Sequence, residues 1–138
     1  MIVAFIIALF VSIIGVWMVD KSEKDAIRKR FVGRNPISID EFMAILDLDA
    51  GQDCVNDALE ELSVIFYVQK ELILPTDRFD IEFAPLKGSE LSSAITDLEL
   101  QIDYEAKKNG IDIKSLNIRT VRDFIAFKQN RNSASGLR

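Results

Sequence analysis

The chain has 138 residues, 49% of them hydrophobic, and a formal charge of −5 from 17 Lys and Arg against 22 Asp and Glu. It contains no histidine, which removes the commonest general base near neutral pH and the commonest zinc ligand. The single cysteine, Cys54, excludes an intrachain disulfide, and the acidic balance argues against nucleic acid as a partner.

Met1 to Val19 carry no charge, and only Ser12 and Gly15 among them fall outside the hydrophobic set. At about 1.5 Å per residue such a helix reaches roughly 28 Å, close to the ~30 Å hydrocarbon thickness of a bilayer. The run therefore predicts a transmembrane anchor over residues 1–19. A cleaved secretory signal would need a basic start and small residues at a cleavage point. Here Ile2 and Val3 follow Met1, and Trp17-Met18-Val19-Asp20 supplies no Ala-x-Ala pattern.

Residues 20–36 read as a basic helical stalk and linker. Lys21, Lys24, Arg28, Lys29, Arg30 and Arg34 stand against Asp20, Glu23 and Asp25, a local +3 that leaves −8 for residues 35–138. By the positive-inside bias, the bulk of the protein is expected on the cytoplasmic side of the inner membrane or of another cytoplasm-facing membrane. Trp17 sits where an interfacial aromatic belongs, and Arg28, Lys29 and Arg30 are candidates for contact with anionic head groups. For Lys21 and Lys24 the plainer reading is a solvated continuation of the anchor helix.

The anchor helix is expected to run on to Phe31 or Val32 and to break at Gly33 and Asn35-Pro36, since a residue before proline is pushed out of the helical region. Ser38 followed by Glu41 has the spacing of a capping box and opens a short helix from Ile39 to about Leu46. Asp49 or Asp53 then opens a longer helix. Val55, Leu59, Leu62 and Phe66 form its apolar face, and it is expected to end near Gln69 or Lys70.

From Leu72 to Lys87, Pro75 and Pro85 stop regular structure, and the segment reads as an ordered loop that packs aromatic side chains on the core. Ser89 caps a further helix with a stripe of Leu91, Ile95, Leu98 and Ile102, stopped at Asn109-Gly110. Ile111, Ile113, Leu116 and Ile118 cover a short connection. Thr120 with Asp123 then resembles a second capping box, opening a helix that buries Val121, Phe124, Ile125 and Phe127. The main domain so read spans residues 37–129, and residues 130–138 read as a frayed tail.

The order of these elements resembles an acyl carrier protein over about residues 50–128. The residues that carry the resemblance are Pro75-Thr76-Asp77-Arg78-Phe79, Gly88-Ser89-Glu90-Leu91 and Asn117-Ile118-Arg119-Thr120-Val121-Arg122-Asp123-Phe124-Ile125. The resemblance implies a four- to five-helix bundle whose second helix presents an acidic face to partner proteins, and a serine at that helix start carrying phosphopantetheine. That serine would be Ser89, or by counting back from Thr120-Val121, Ser92. Gly88-Ser89-Glu90 keeps the serine but loses both neighbours of the Asp-Ser-Leu motif.

As residues, Ser89 reads as a helix N-cap worth on the order of 1 kcal/mol, and Glu60, Glu61, Asp97, Glu99, Asp103 and Glu105 as solvated helix faces. The sharper form of the second reading is that Glu90, Asp97 and Glu105 make a recognition surface for a protein with a basic surface. Asp47, Asp49 and Gly51 lack the later ligands of a calcium loop, no metal site is expected, and Cys54 has no histidine to activate it.

The expected protein is thus all-α: one membrane span and an acyl-carrier-like bundle. Its expected role is that of a non-catalytic module recruiting a partner at the cytoplasmic face without a cofactor. The alternatives are a phosphopantetheine-bearing carrier serving a membrane or lipid enzyme, and a structural or immunity-type subunit acting through its transmembrane helix.

Overall fold

The structure is a computed structural model that describes residues 2–85 and 94–136, the side chains at positions 16, 19, 20 and 133–136 excepted. Within them the protein is all-α, with helices α1 (Ile2–Phe31), α2 (Ile39–Leu46), α3 (Gln52–Phe66), α4 (Ala94–Lys108) and α5 (Val121–Gly136). Short 3-10 turns occupy Lys70–Leu72 and Ile113–Ser115, and the one extended pairing among the described residues is an isolated bridge between Arg78 and Thr120.

Among the described residues no helix is long and apolar enough to cross a membrane. The unbroken uncharged run with described side chains in α1 goes from position 2 to position 15, which at about 1.5 Å per residue is roughly 21 Å.

Helix α3 is the centre of the domain and touches α1, α2, α4 and α5. It brings Val55, Ala58, Leu59, Leu62 and Phe66 to the core, an apolar face repeating at the helical period. It starts at Gln52 with Gly51 as N-cap, so neither Asp49 nor Asp53 caps it by a side-chain bond. It also ends earlier than the apolar pattern suggests. Tyr67, at φ 56°, adopts the left-handed conformation at the C-cap, and the chain turns away before Gln69. Asp47 ends α2 in the same way at φ 49°, where Arg122 satisfies the last carbonyls by donating to the backbone oxygens of Leu46 (3.0 Å) and Asp47 (3.3 Å).

Capping chemistry sets three other boundaries. The Ser38 hydroxyl accepts from the Glu41 backbone N–H at 3.2 Å. At α5 the box is reciprocal: Thr120 Oγ1 accepts from the Asp123 N–H (3.2 Å), while Asp123 Oδ2 accepts from the backbone N–H groups of Thr120 and Arg119 (3.0 Å each). At the end of α4 the Ile111 N–H reaches the Ala106 carbonyl at 2.9 Å and the Gly110 N–H reaches Lys107 at 3.3 Å, closing a Schellman turn in which Gly110 takes φ +69°.

Loop 73–85 packs Phe79 and Phe83 onto the core, where rings of Phe31, Phe66, Phe79 and Phe83 meet at centroid distances of 4.5–6.3 Å. Ile81, between them, is 52% exposed. Backbone bonds fasten the loop to the start of α5: Phe79 N–H to Arg119 (3.0 Å), Val121 N–H to Asp77 (3.0 Å) and Arg122 N–H to Pro75 (3.0 Å).

Two stretches are built differently from the expectation. The segment read as a stalk is part of the domain, because Ile27 and Phe31 are fully buried and Glu23 is buried against the start of α4, accepting from the Ala94 N–H at 3.2 Å. The segment read as a frayed tail continues α5 to Gly136. Tertiary partners override its weak helix formers: Arg131 pairs with Glu105 at 2.9 Å, the Gln129 amide donates to the Asp49 carbonyl, and the Asn132 amide lies 3.7 Å from Cys54 Sγ.

Candidate functional site

Two surfaces hold the residues that the sequence singles out: the outer face of α4 and the end of the apolar part of α1. Ser89, Ser92 and Glu90 lie outside the described residues, as does the start of the stripe at Leu91.

On α4, Asp97 is exposed, together with Leu100 (64%) and Tyr104 (65%). Glu105, one of the three acids expected to face a partner, points the other way. Its carboxylate lies 3.0 Å from Lys128 Nζ and 2.9 Å from Arg131, and Lys128, itself only 8% exposed at the side chain, also meets Glu61 at 2.5 Å. The Gln101 amide donates to the other Glu61 oxygen. This network bonds α3, α4 and α5, so Glu105 and Glu61 hold the bundle together and are not offered to solvent. Spacing alone could not tell which flank of α4 would meet a buried lysine on α5.

Beyond the other flank of α4 runs a groove of about 470 Å³. Ile102, Ile113, Leu116 and Ile118 give it an apolar floor, and Glu99 and Asp103 line its edge. Asp103 also bonds Lys107 at 2.7 Å. The groove and the exposed Asp97–Leu100–Tyr104 line share Leu100, which joins them into one mixed apolar and acidic surface.

At the end of the apolar part of α1, Trp17 is 62% exposed with Lys21 Nζ 5.4 Å from its ring centroid. Arg28 is exposed and lies 3.5 Å from Asp25, and Lys29 is exposed. Arg30 is spent elsewhere: its guanidinium donates to the carbonyls of Ile81 (3.2 Å), Glu82 (3.2 Å) and Ala84 (2.7 Å), capping the loop that α1 packs against. Arg34 is likewise internal. It donates to Asp77 at 2.7 Å and to the Leu72 carbonyl at 3.1 Å, and the hydrogen bond it gives Asp77 raises its pKa above the ordinary guanidinium value. Sequence reasoning passed over Tyr67 and read Lys24 as a solvated continuation of the anchor helix. Lys24 Nζ stands 4.0 Å over the Tyr67 ring, a contact between α1 and the cap of α3 that no local spacing announces.

No group of three or more acidic, cysteine or histidine side chains able to hold a metal occurs among the described residues. Cys54, third residue of α3, is half-buried, and burial pushes its thiol pKa up. No protein-family model matches the chain, and no curated protein or solved structure matches it.

Proposed function

We propose that the protein is a membrane-tethered, non-catalytic helical module that recruits a partner with a basic surface at the cytoplasmic face of its membrane. The observation that carries this reading is the first half of α1. Phe5, Phe10, Val11 and Trp17 are 62–72% exposed, and large apolar side chains project on every side of the helix, with none of the described residues covering them. A helix that is hydrophobic all round is stable only when something apolar surrounds it. In sequence the uncharged run continues to Val19, long enough at roughly 28 Å for lipid to be that surrounding.

The cations that follow support the cytoplasmic orientation. The order α3, aromatic loop, α4, short connection and Thr120-capped α5 supports an acyl-carrier-like bundle. The acidic groove on α4 supports recruitment as its task, with Asp97, Glu99 and Asp103 steering a basic partner and Leu100, Tyr104 and Ile113 supplying apolar contact.

Alkaline carbonate extraction and protease protection of the full-length protein in its native membrane test the tether. Retention in the pellet with a protease-accessible domain on the cytoplasmic side is expected, and release into the supernatant would reject it. Intact mass after incubation with a phosphopantetheinyl transferase and coenzyme A tests the cofactor-free reading. No added mass is expected, and a gain of one pantetheine arm would make the protein a working carrier.

A further inference from the structure

Trp17, Lys21, Lys24 and Arg28 follow one another at spacings of four, three and four residues, which stacks them in a single line along α1. Tyr67, turned out of α3 by its left-handed cap conformation and 56% exposed, stands beside that line. With Asp25 these residues enclose a pocket of about 230 Å³. Both lysine ammoniums are seated over aromatic faces, Lys21 on Trp17 and Lys24 on Tyr67, so the pocket walls are preformed. Lys21, Lys24 and Arg28 line the pocket together with Asp25, which lies 3.5 Å from Arg28, while Glu23 is turned into the core toward Ala94.

With Trp17 at the edge of the hydrocarbon, Lys21 lies roughly 6 Å and Lys24 roughly 10 Å further along the helix axis, the depth of the head-group layer and its outer edge. We propose that this pocket binds the phosphate of an anionic phospholipid head group. The lysines and Arg28 supply the charge, and Trp17 and Tyr67, which line the same pocket, carry an indole N–H and a phenol hydroxyl as neutral donors. Because Tyr67 belongs to the body of the domain, an occupied pocket joins α1, α3 and the lipid, and sets how the domain lies against the bilayer. This proposal rests on the reading of α1 as an anchor and adds a specific lipid to it.

Trp17 is the only tryptophan, so its emission reports the pocket directly. The experiment titrates full-length protein in neutral detergent micelles with phosphatidylglycerol, with phosphatidylcholine and with inorganic phosphate. A saturable change in Trp17 emission with phosphatidylglycerol alone is expected. Lys24→Ala and Tyr67→Ala should each weaken it, the former about fivefold, as one cation near an anionic surface contributes. Lys29→Ala, on an exposed part of α1 off the line, should weaken it less. Equal loss from Lys29→Ala and Lys24→Ala, or the same response to phosphatidylcholine, would overturn the pocket in favour of diffuse attraction. Saturation by inorganic phosphate alone would overturn the lipid assignment. Protein that stays in carbonate-washed membranes yet shows no lipid preference loses the pocket and keeps the anchor. Protein that is extracted loses the anchor whatever the titration shows.

Discussion

From Ile2 to Ile14, and again at Trp17 and Met18, α1 turns large apolar side chains outward, whereas from Glu23 to Phe31 it buries Glu23, Ile27 and Phe31 on one face and leaves Arg28 and Lys29 outside. The backbone is the same continuous helix in both halves. Helical geometry is therefore common to both environments, and the side-chain pattern alone tells which medium each half is made for. An all-round apolar surface fits a uniform surrounding, and a stripe of period 3.6 fits a packed partner. The two halves should accordingly be separable, so that either can be broken while the other stays intact.

The strongest break falls on the packed half. Phe31 has no exposed surface, lies 5.1 Å from the Phe83 ring and carries the Arg34 guanidinium 4.5 Å from its centroid. Phe31→Ala should cost about 3–5 kcal/mol, a large share of the stability of a domain this size, and should show in chemical denaturation as an earlier midpoint with unchanged membrane retention. The reverse break is Leu9→Lys in the apolar half, where a central lysine disfavours insertion by about 3 kcal/mol. Carbonate-extractable protein should rise while the denaturation midpoint of the domain stays put. If either substitution moved both readouts, the halves of α1 would form one cooperative unit.

The domain boundaries that could be read in the sequence are those written in local chemistry. Ser38 and Thr120 cap helices because the bonds they make lie within three residues, and Gly110 ends α4 because few other residues take a positive φ at no steric cost. The boundaries that could not be read depend on distant partners. Nothing near Asn130 announces that Arg131 will find Glu105, and nothing near Glu105 announces that it faces Lys128 and not a partner protein. The stalk was illegible for the same reason: Ile27 and Phe31 join the core through distant elements, among them α3 and Phe83, the latter some fifty residues from Phe31. At the candidate surfaces, Trp17 and Asp97 were readable as single exposed residues, while Tyr67 gains its place from a C-cap conformation that its own sequence does not dictate.

A smaller effect sharpens the comparison from the far end of the packed domain. Thr120→Ala removes the hydroxyl that accepts from the Asp123 N–H and leaves the Asp123 carboxylate bonded to the Thr120 and Arg119 backbone. Half of the box survives, so the loss should be about 1 kcal/mol, or roughly 4 °C in Tm. Restoration by Thr120→Ser, which keeps the acceptor, would assign the loss to the cap. An equal loss in Thr120→Ser would assign it to packing of the threonine methyl against its surroundings.

The smallest expected effect is a pH dependence confined to the packed domain. Burial in α3 raises the Cys54 thiol pKa, with Asp57 pushing the same way and Arg131, Lys128 and the bond from Asn132 opposing. The folded state therefore holds its proton at a pH where the unfolded thiol, with a pKa of about 8.5, has begun to lose it. The protein gains nothing from this below that range, where both states are protonated. Its stability should fall as pH rises through and above the unfolded value, because the unfolded state is then the one released from its proton. Denaturation midpoints measured across mildly alkaline pH should decline more for the wild type than for Cys54→Ala. Alkylation of Cys54 at pH 8 should be slower in the folded protein than in the unfolded chain. Equal alkylation rates would mean that the α3–α5 contact at Asn132 opens readily, and the packed half would then be looser at this end than where Phe31 holds it.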